Sequence, residues 1–136
     1  MCIRLAFDCE TNGLLDTLTK LHCLAITDLD TGEQTDFADQ PGHRPIVEGL
    51  VLLSRAKLLV GHNIIGFDLK AIRKVYPDWT YRGLVRDTIV LTRLMWPHIK
   101  DSDFKRAEKG TLPKKLIGAH SLESWGYRLG MCIGVE

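Results

Sequence analysis

Long apolar runs, paired cysteine motifs and internal repeats are all missing from this sequence of 136 residues. No apolar run approaches the roughly 20 residues that a membrane helix needs, and Asp8 and Glu10 interrupt the only stretch that resembles a signal peptide. No Cys-x-x-Cys pair is present and no Cys/His pair has zinc-ligand spacing, which disfavours a zinc site. We therefore expect a cytoplasmic protein without a membrane partner. Its four cysteines are expected to be buried free thiols, although their number alone also allows a disulfide.

The net charge is small, at +1, but the charges are unevenly distributed along the chain. Residues 1–42 hold eight acidic and two basic side chains, whereas residues 43–115 hold seven acidic and fifteen basic ones. Such an asymmetry suits a protein that gathers cations at one edge and a polyanion at another. A mixed surface that binds no nucleic acid could show the same totals, so charge alone does not choose between these interpretations.

The length suits one compact α/β domain. Predicted strands cover residues 2–9, 21–28, 33–37, 57–60 and 85–87, and predicted helices cover 45–54, 68–76, 88–96 and 122–128. Residues 98–119 are charged and irregular, and we expect a long surface loop there. An antiparallel hairpin beside parallel strands predicts a mixed sheet with helices on its faces.

Two carboxylates lie close together on the first predicted strand. Because side chains alternate along a strand, Asp8 and Glu10 share one face and Cys9 points to the other. Two such acids repel each other unless a cation lies between them, and Mg²⁺ or Mn²⁺ prefers oxygen ligands. Alone, however, an Asp-x-Glu pattern is more often a pair of solvated acids. The following residues 11–14 form a tight turn in which Gly13 permits close backbone approach.

A second segment, residues 59–68, runs from the end of a strand into a helix that begins with Asp68. Asp68 shares a face of this helix with Ile72, on the apolar stripe that must pack against the sheet. An aspartate at a helix N-terminus is common because it interacts favourably with the helix dipole. That preference does not explain an acid on the apolar stripe. Asp68 is therefore predicted to point inwards, towards the strand end that carries Asp8 and Glu10.

Together the two segments resemble the ribonuclease H-like (DnaQ-like) superfamily of DEDD exonucleases. In that superfamily an Asp-x-Glu-Thr strand and an Asn-x₃-Phe-Asp segment provide three of the four metal-binding carboxylates. The matching positions here are Asp8, Glu10, Asn63, Phe67 and Asp68. The resemblance implies the ribonuclease H-like fold, a mixed sheet flanked by helices.

A more specific resemblance covers nearly the whole chain. The sequence is similar to the proofreading 3′→5′ exonuclease domain of family A DNA polymerases from short-tailed phages. The similarity rests on residues 14–15, 19–20, 22–23, 87–88, 91, 93–94, 100–101, 103, 112–113, 115 and 120–123, and above all on Trp125-Gly126-Tyr127-Arg128-Leu129-Gly130. It implies a single-stranded DNA 3′ end as substrate, a downstream polymerase polypeptide as partner, and the host cell cytoplasm as location.

The resemblance also implies a two-metal-ion mechanism. Two Mg²⁺ or Mn²⁺ ions about 4 Å apart would grip the scissile phosphate, one activating water and the other stabilising the departing 3′ oxygen. Asp8 would bridge both ions, Glu10 would complete one shell, and Asp68 would reach the other through water. The implied substrate-binding residues are Thr11, Asn12, Gly13, Leu14, His62, Asn63 and Phe67, with Leu14 and Phe67 against the terminal bases. Asp87 would support the loop near the site, and His62 is either a structural hydrogen-bonding residue or a general base.

The sequence departs from the family pattern at the third motif, which is either Tyr-x₃-Asp or His-x₄-Asp on a late helix. None of the three tyrosines has an aspartate four residues later. His98 and Asp103 fit the second spacing but fall in the predicted loop. We therefore expect one partial exonuclease domain over residues 1–136, C-terminally incomplete and without a polymerase domain. Alone it should be weakly active or inactive, whether it is a fragment, a split gene product or a degenerate remnant.

Two other functions stay open at this point. An exoribonuclease of the same superfamily would have nearly the same catalytic residues and would differ only near the sugar 2′-hydroxyl group. A non-catalytic remnant that binds nucleic acid or complements a polymerase would account for the missing third motif.

Overall fold

The computed structural model describes residues 3–131. Five strands form one sheet in the order β3-β2-β1-β4-β5, namely β1 Arg4–Thr11, β2 Leu21–Asp28, β3 Gln34–Phe37, β4 Leu58–Gly61 and β5 Leu84–Asp87. The helices are α1 Ile46–Arg55, α2 Asp68–Val75, α3 Thr88–Met95, α4 Ile99–Glu108 and α5 Leu122–Leu129, with a 3₁₀ turn at Lys114–Leu116. β1, β2 and β3 are antiparallel, whereas β4 and β5 run parallel to β1. The predicted mixed sheet with helices is confirmed.

The chain divides into two compact units, Met1–Thr88 and Ile89–Glu136. The first unit contains the whole sheet with α1 and α2. The second contains α4, α5 and the 3₁₀ turn. Within residues 3–131, none of the helices is both long and apolar enough to cross a membrane. That a single domain spans residues 1–136 stays a prediction.

In the first unit, α1 packs on β2 and β3, and α2 packs on β1 and β2. Cys9, Leu24 and Phe37 stand side by side on three neighbouring strands and are buried. α1 approaches this row at Gly49, where an added Cβ would lie 2.7 Å from a Leu24 methyl group and 2.9 Å from the Phe37 ring. Glycine therefore permits a close approach of helix and sheet that any side chain would prevent.

The helix ends follow local chemistry that the sequence already shows. α2 ends at Val75, just before Pro77, whose ring cannot continue a helix. α5 begins after Ser121, whose hydroxyl oxygen accepts a hydrogen bond from the N–H of Ser124 at 3.2 Å. It is followed by Gly130 in the left-handed region, with φ of 65°. These boundaries agree with the predicted ones to within a residue or so.

α4 shows that the loop predicted over residues 98–119 is wrong. The buried residues of this helix are Ile99 and Asp103, so it carries no apolar stripe that periodicity could detect. Asp103 is fully buried because Arg128 of α5 binds it at two points, Nε to Oδ1 at 3.0 Å and Nη2 to Oδ2 at 2.5 Å. The N–H of Gly118 also donates to Oδ2, at 3.0 Å. The buried face of α4 is thus held by an ion pair, and hydrophobic periodicity does not detect such a contact.

Candidate active site

The two acids of β1 project from one face of the sheet, as strand periodicity predicts. Asp8 and Glu10 are exposed, whereas Cys9 between them is buried. Asp8 stands in register with Ala25 on β2, which in turn stands in register with Asp36 on β3. This row lies on the face opposite the buried Cys9 row, because successive residues of a strand point to opposite faces.

Asp68, the first residue of α2, points inwards and is only 3% exposed. Its Oδ1 accepts one hydrogen bond from the main-chain N–H of Cys9 at 3.0 Å and another from the Cys9 thiol at 3.2 Å. β4 pairs with β1 only as far as Ala6, so β1 has no strand neighbour on that side beyond this residue. The carboxylate therefore satisfies a buried donor of β1 and joins α2 to the strand between Asp8 and Glu10.

Burial and the neighbouring acids shift the pKa values of Asp68 and Cys9. Burial raises the pKa of Asp68 to about 6; the hydrogen bonds from Cys9 oppose this rise and the charge of Asp8 adds to it. Burial, followed by the charge of Asp68 and smaller effects of Asp8 and Glu10, raises the pKa of the Cys9 thiol, which is therefore protonated and donates its S–H. Such a group of acids favours a bound cation, because a cation relieves their mutual repulsion.

The loop between β4 and α2 is held by Asp87. Its Oδ1 accepts from the N–H of Asn63 at 2.8 Å, and its Oδ2 accepts from the N–H of Ile65 at 2.9 Å. Asn63 has a φ of 60°, a left-handed conformation that Asn tolerates better than most residues. The buried Asp87 carboxylate thus fixes the main chain on the approach to Asp68.

His62 makes a structural hydrogen bond at the end of β4. Its Nδ1 lies 2.8 Å from the Thr88 hydroxyl oxygen, and this hydroxyl lies 3.3 Å from the carbonyl oxygen of Gly61. The His62 Nε2 is buried and has no hydrogen-bond partner among residues 3–131. The histidine therefore links the ends of β4 and β5 through Thr88.

The turn after β1 is closed by its own polar groups. Asn12 Oδ1 accepts from the N–H groups of Thr19 and Lys20 at 2.9 and 3.0 Å, so this side chain is occupied in closing the loop. The Thr11 hydroxyl donates to the carbonyl oxygen of Gly13 at 2.8 Å. An added Cβ at Gly13 would lie 2.9 Å from a threonine hydroxyl within the same loop. The turn is thus preformed, and the side chains of Thr11 and Asn12 are engaged within it.

The two apolar residues expected against the bases differ in exposure. Leu14 is 71% exposed, whereas Phe67 is half-buried and packs on the core. Sequence reasoning missed Lys74, whose Nζ donates to the carbonyl oxygens of Leu15 and Asp16 at 2.7 and 3.0 Å. This contact holds the turn to α2, and no sequence signal marks it, because a lysine on the outer face of a helix usually faces solvent.

The donor set suits a hard divalent ion, because all three acids supply oxygen ligands. Within residues 3–131, however, no three His, Cys, Asp or Glu side chains are close enough to hold one metal ion. Asp8 and Glu10 extend towards solvent while Cys9 engages Oδ1 of Asp68. The chemistry therefore fits a divalent cation, and a shared ion requires the carboxylates to come closer. That they converge stays a prediction.

The alternative His-x₄-Asp pair lies in the second unit, where Asp103 already has partners. Burial alone would raise the pKa of Asp103, but hydrogen bonds from Arg128 and Gly118 and the charges of Arg128 and Arg106 outweigh it, so that the pKa lies below its usual value. His98 directly precedes α4. Asp103 is therefore an ion-pair partner that joins α4 to α5.

The fold is shared with solved structures of exonuclease I. One superposes with a TM-score of 0.67 at 17% identity, and the superposed region is 97% of this chain and 36% of the exonuclease I chain. A product-bound form has a TM-score of 0.55 at 18% identity and covers 71% of this chain and 32% of that chain. The protein therefore has the ribonuclease H-like fold. No family model matches the sequence.

Sequence similarity identifies the relatives more narrowly. The chain is 38% identical over 131 residues to the DNA-directed DNA polymerase of Escherichia phage T7. The aligned region is 90% of this chain and 18% of that polymerase. The chain is also 38% identical over 134 residues to the corresponding polymerase of Enterobacteria phage T3, which covers 93% of this chain and 19% of the relative. The chain is thus homologous to a segment of these phage DNA polymerases and spans about a fifth of their length. The resemblance to phage DNA polymerases that was inferred from the sequence is confirmed.

Proposed function

We propose that this chain supplies metal-binding carboxylates of a proofreading 3′→5′ exonuclease that removes nucleotides from single-stranded DNA ends. It would act beside a phage-type DNA polymerase in the host cell cytoplasm. The observation that carries the proposal is the arrival of Asp68 at β1 between Asp8 and Glu10. Its setting is an exonuclease fold in a chain homologous to phage polymerases.

Mg²⁺ or Mn²⁺, when bound, supplies an activated water and neutralises the charge that develops on the phosphate. The protein's own residues hold and orient the reacting groups. Asp8 and Glu10 offer exposed carboxylates, and Asp68 offers a buried one whose position is set by β1. Leu14 is exposed enough to stack against a terminal base. One structure with this fold, Escherichia coli exonuclease I, contains single-stranded DNA and a zinc ion, which supports a nucleic-acid substrate and a divalent metal here.

The first test measures metal binding through thermal stability. Mn²⁺ should raise the melting temperature of residues 1–136, because a ligand that binds only the folded chain stabilises it. Asp8→Ala should remove most of this rise. Asp36→Ala is the matched control, since it removes an exposed acid of the same row that lies two strands away, about 10 Å from Asp8. Equal rises in the wild type and in Asp8→Ala would contradict the proposal.

The second test measures degradation of 3′-labelled single-stranded DNA. No third motif is formed within residues 3–131, where Asp103 is paired with Arg128. We expect residues 1–136 alone to degrade DNA very slowly or not at all, because a metal short of a ligand holds the reacting oxygens poorly. Joining a downstream polypeptide of the relatives should give metal-dependent 3′→5′ degradation that Asp8→Ala abolishes. Robust degradation by residues 1–136 alone, or preferential degradation of RNA, would overturn this assignment.

A further inference from the structure

Cys9 is a buried residue at this site to which the proposed reaction assigns no role. It lies between Asp8 and Glu10 in sequence and is 6% exposed. Both of its donors, the main-chain N–H and the thiol, end on Oδ1 of Asp68. Neither bond engages Oδ2. One residue thus holds one oxygen of the candidate metal ligand by two hydrogen bonds.

We propose that Cys9 is a positioning residue, whose thiol fixes the rotation of the Asp68 carboxylate so that Oδ2 is presented to a divalent cation. This inference rests on the proposed function. Groups that hydrogen-bond a metal ligand set its orientation, and their loss typically weakens metal binding by about 10- to 100-fold. The carboxylate accepts main-chain hydrogen bonds from Cys9 and from Asp68 itself, and the thiol adds a side-chain donor that restricts its rotation further.

The local structure explains why the thiol, and not packing alone, is needed. Asp68 is the first residue of α2, and Phe67 before it provides no side-chain cap. Within residues 3–131, the side chain that donates a hydrogen bond to the Asp68 carboxylate is the Cys9 thiol. Valine at position 9 would fill similar space on the buried face but would offer no hydrogen to Oδ1. Serine would be slightly smaller but would keep a donor at the same place.

The experiment measures Mn²⁺ affinity of residues 1–136 from the electron paramagnetic resonance signal of the free ion. Cys9→Val should bind Mn²⁺ about tenfold more weakly than the wild type, and Cys9→Ser should recover most of the affinity. Cys23→Ala is the matched control, because Cys23 lies opposite Glu10 on β2 but donates nothing to Asp68. This control should bind as the wild type does. Far-UV circular dichroism checks the fold, and Cys9→Ala replaces Cys9→Val if the larger side chain prevents folding.

The outcomes separate this inference from the proposed function. Wild-type affinity in Cys9→Val, or equal losses in Cys9→Val and Cys9→Ser, would show that the thiol hydrogen does not position Asp68. Either result leaves the proposed function intact if Asp8→Ala still abolishes Mn²⁺ binding. Absence of Mn²⁺ binding by the wild type would overturn both proposals. Weak binding by Cys9→Val, recovered in Cys9→Ser, supports the inference, because a purely structural role would not distinguish these variants by their donor.

Discussion

Replacing Asp68 with asparagine should flatten the dependence of stability on pH. Burial raises the pKa of Asp68 to about 6 in the folded chain, whereas an aspartate in an unfolded chain titrates near a pKa of about 4. A difference of about 2 pKa units corresponds to about 3 kcal/mol. Asparagine offers an oxygen that can accept from Cys9, carries no charge and has an NH₂ group in place of the second oxygen. The cost of that NH₂ group does not vary with pH, so the pH-dependent part of the change isolates the contribution of the Asp68 charge.

The sign follows from proton binding. Below a pH of about 4, Asp68 is protonated in both states and no stability is lost. As the pH rises from about 4 to about 6, the unfolded chain releases this proton while the folded chain retains it, so the free energy of unfolding falls. Above about pH 6 the loss levels off at about 3 kcal/mol. The advantage of Asp68→Asn over the wild type should grow by this amount across the same range.

Urea unfolding, followed by far-UV circular dichroism in the presence of a chelator, measures this difference. The series runs from about pH 4 to about pH 8, spanning both pKa values. Asp36→Asn is the control, since it removes an exposed acid of the same sheet and leaves Asp68 in place. Parallel curves for Asp68→Asn and the wild type would refute the reasoning, because they would mean that Asp68 titrates alike in both states.

Two further predictions concern buried carboxylates that hold the fold. Asp103→Asn should lower the free energy of unfolding by urea by about 3–5 kcal/mol, because it leaves the Arg128 guanidinium buried without its charge partner. The double variant Asp103→Leu/Arg128→Met should recover much of this loss. If its cost were the simple sum of the costs of Asp103→Leu and Arg128→Met, the two residues would not be a coupled pair. Asp87→Ala should lower the free energy of unfolding by about 2 kcal/mol or more, since it leaves two main-chain donors unsatisfied. Amide hydrogen exchange at Asn63 and Ile65 should become faster, and unchanged exchange would show that Asp87 does not hold this loop.

Much of the local structure could be predicted because it depends on neighbours in the chain. Period two placed Asp8 and Glu10 on one face and Cys9 on the other, as observed. The acid on an apolar helical stripe predicted an inward Asp68 at the start of α2, and this residue is buried there. Cys9 is a free buried thiol, as expected, and Cys23 is a free thiol that is half-buried. Cys2 and Cys132 lie outside the described residues.

The sequence by itself determined which segments of the first unit form strands and which form helices. It also determined the face that carries the acid pair and the relationship to phage polymerases. Each follows from periodicity, helix-terminal residues or matched motifs, and these signals depend only on residues that are close together in the sequence. Only the tertiary structure decided that Asp68 bonds to Cys9, 59 residues away, and that α4 forms around an ion pair between Asp103 and Arg128, 25 residues apart. In both places a buried polar group takes its partner from a distant segment. Burial supplies the energetic reason for that pairing, and burial exists only once the chain has folded.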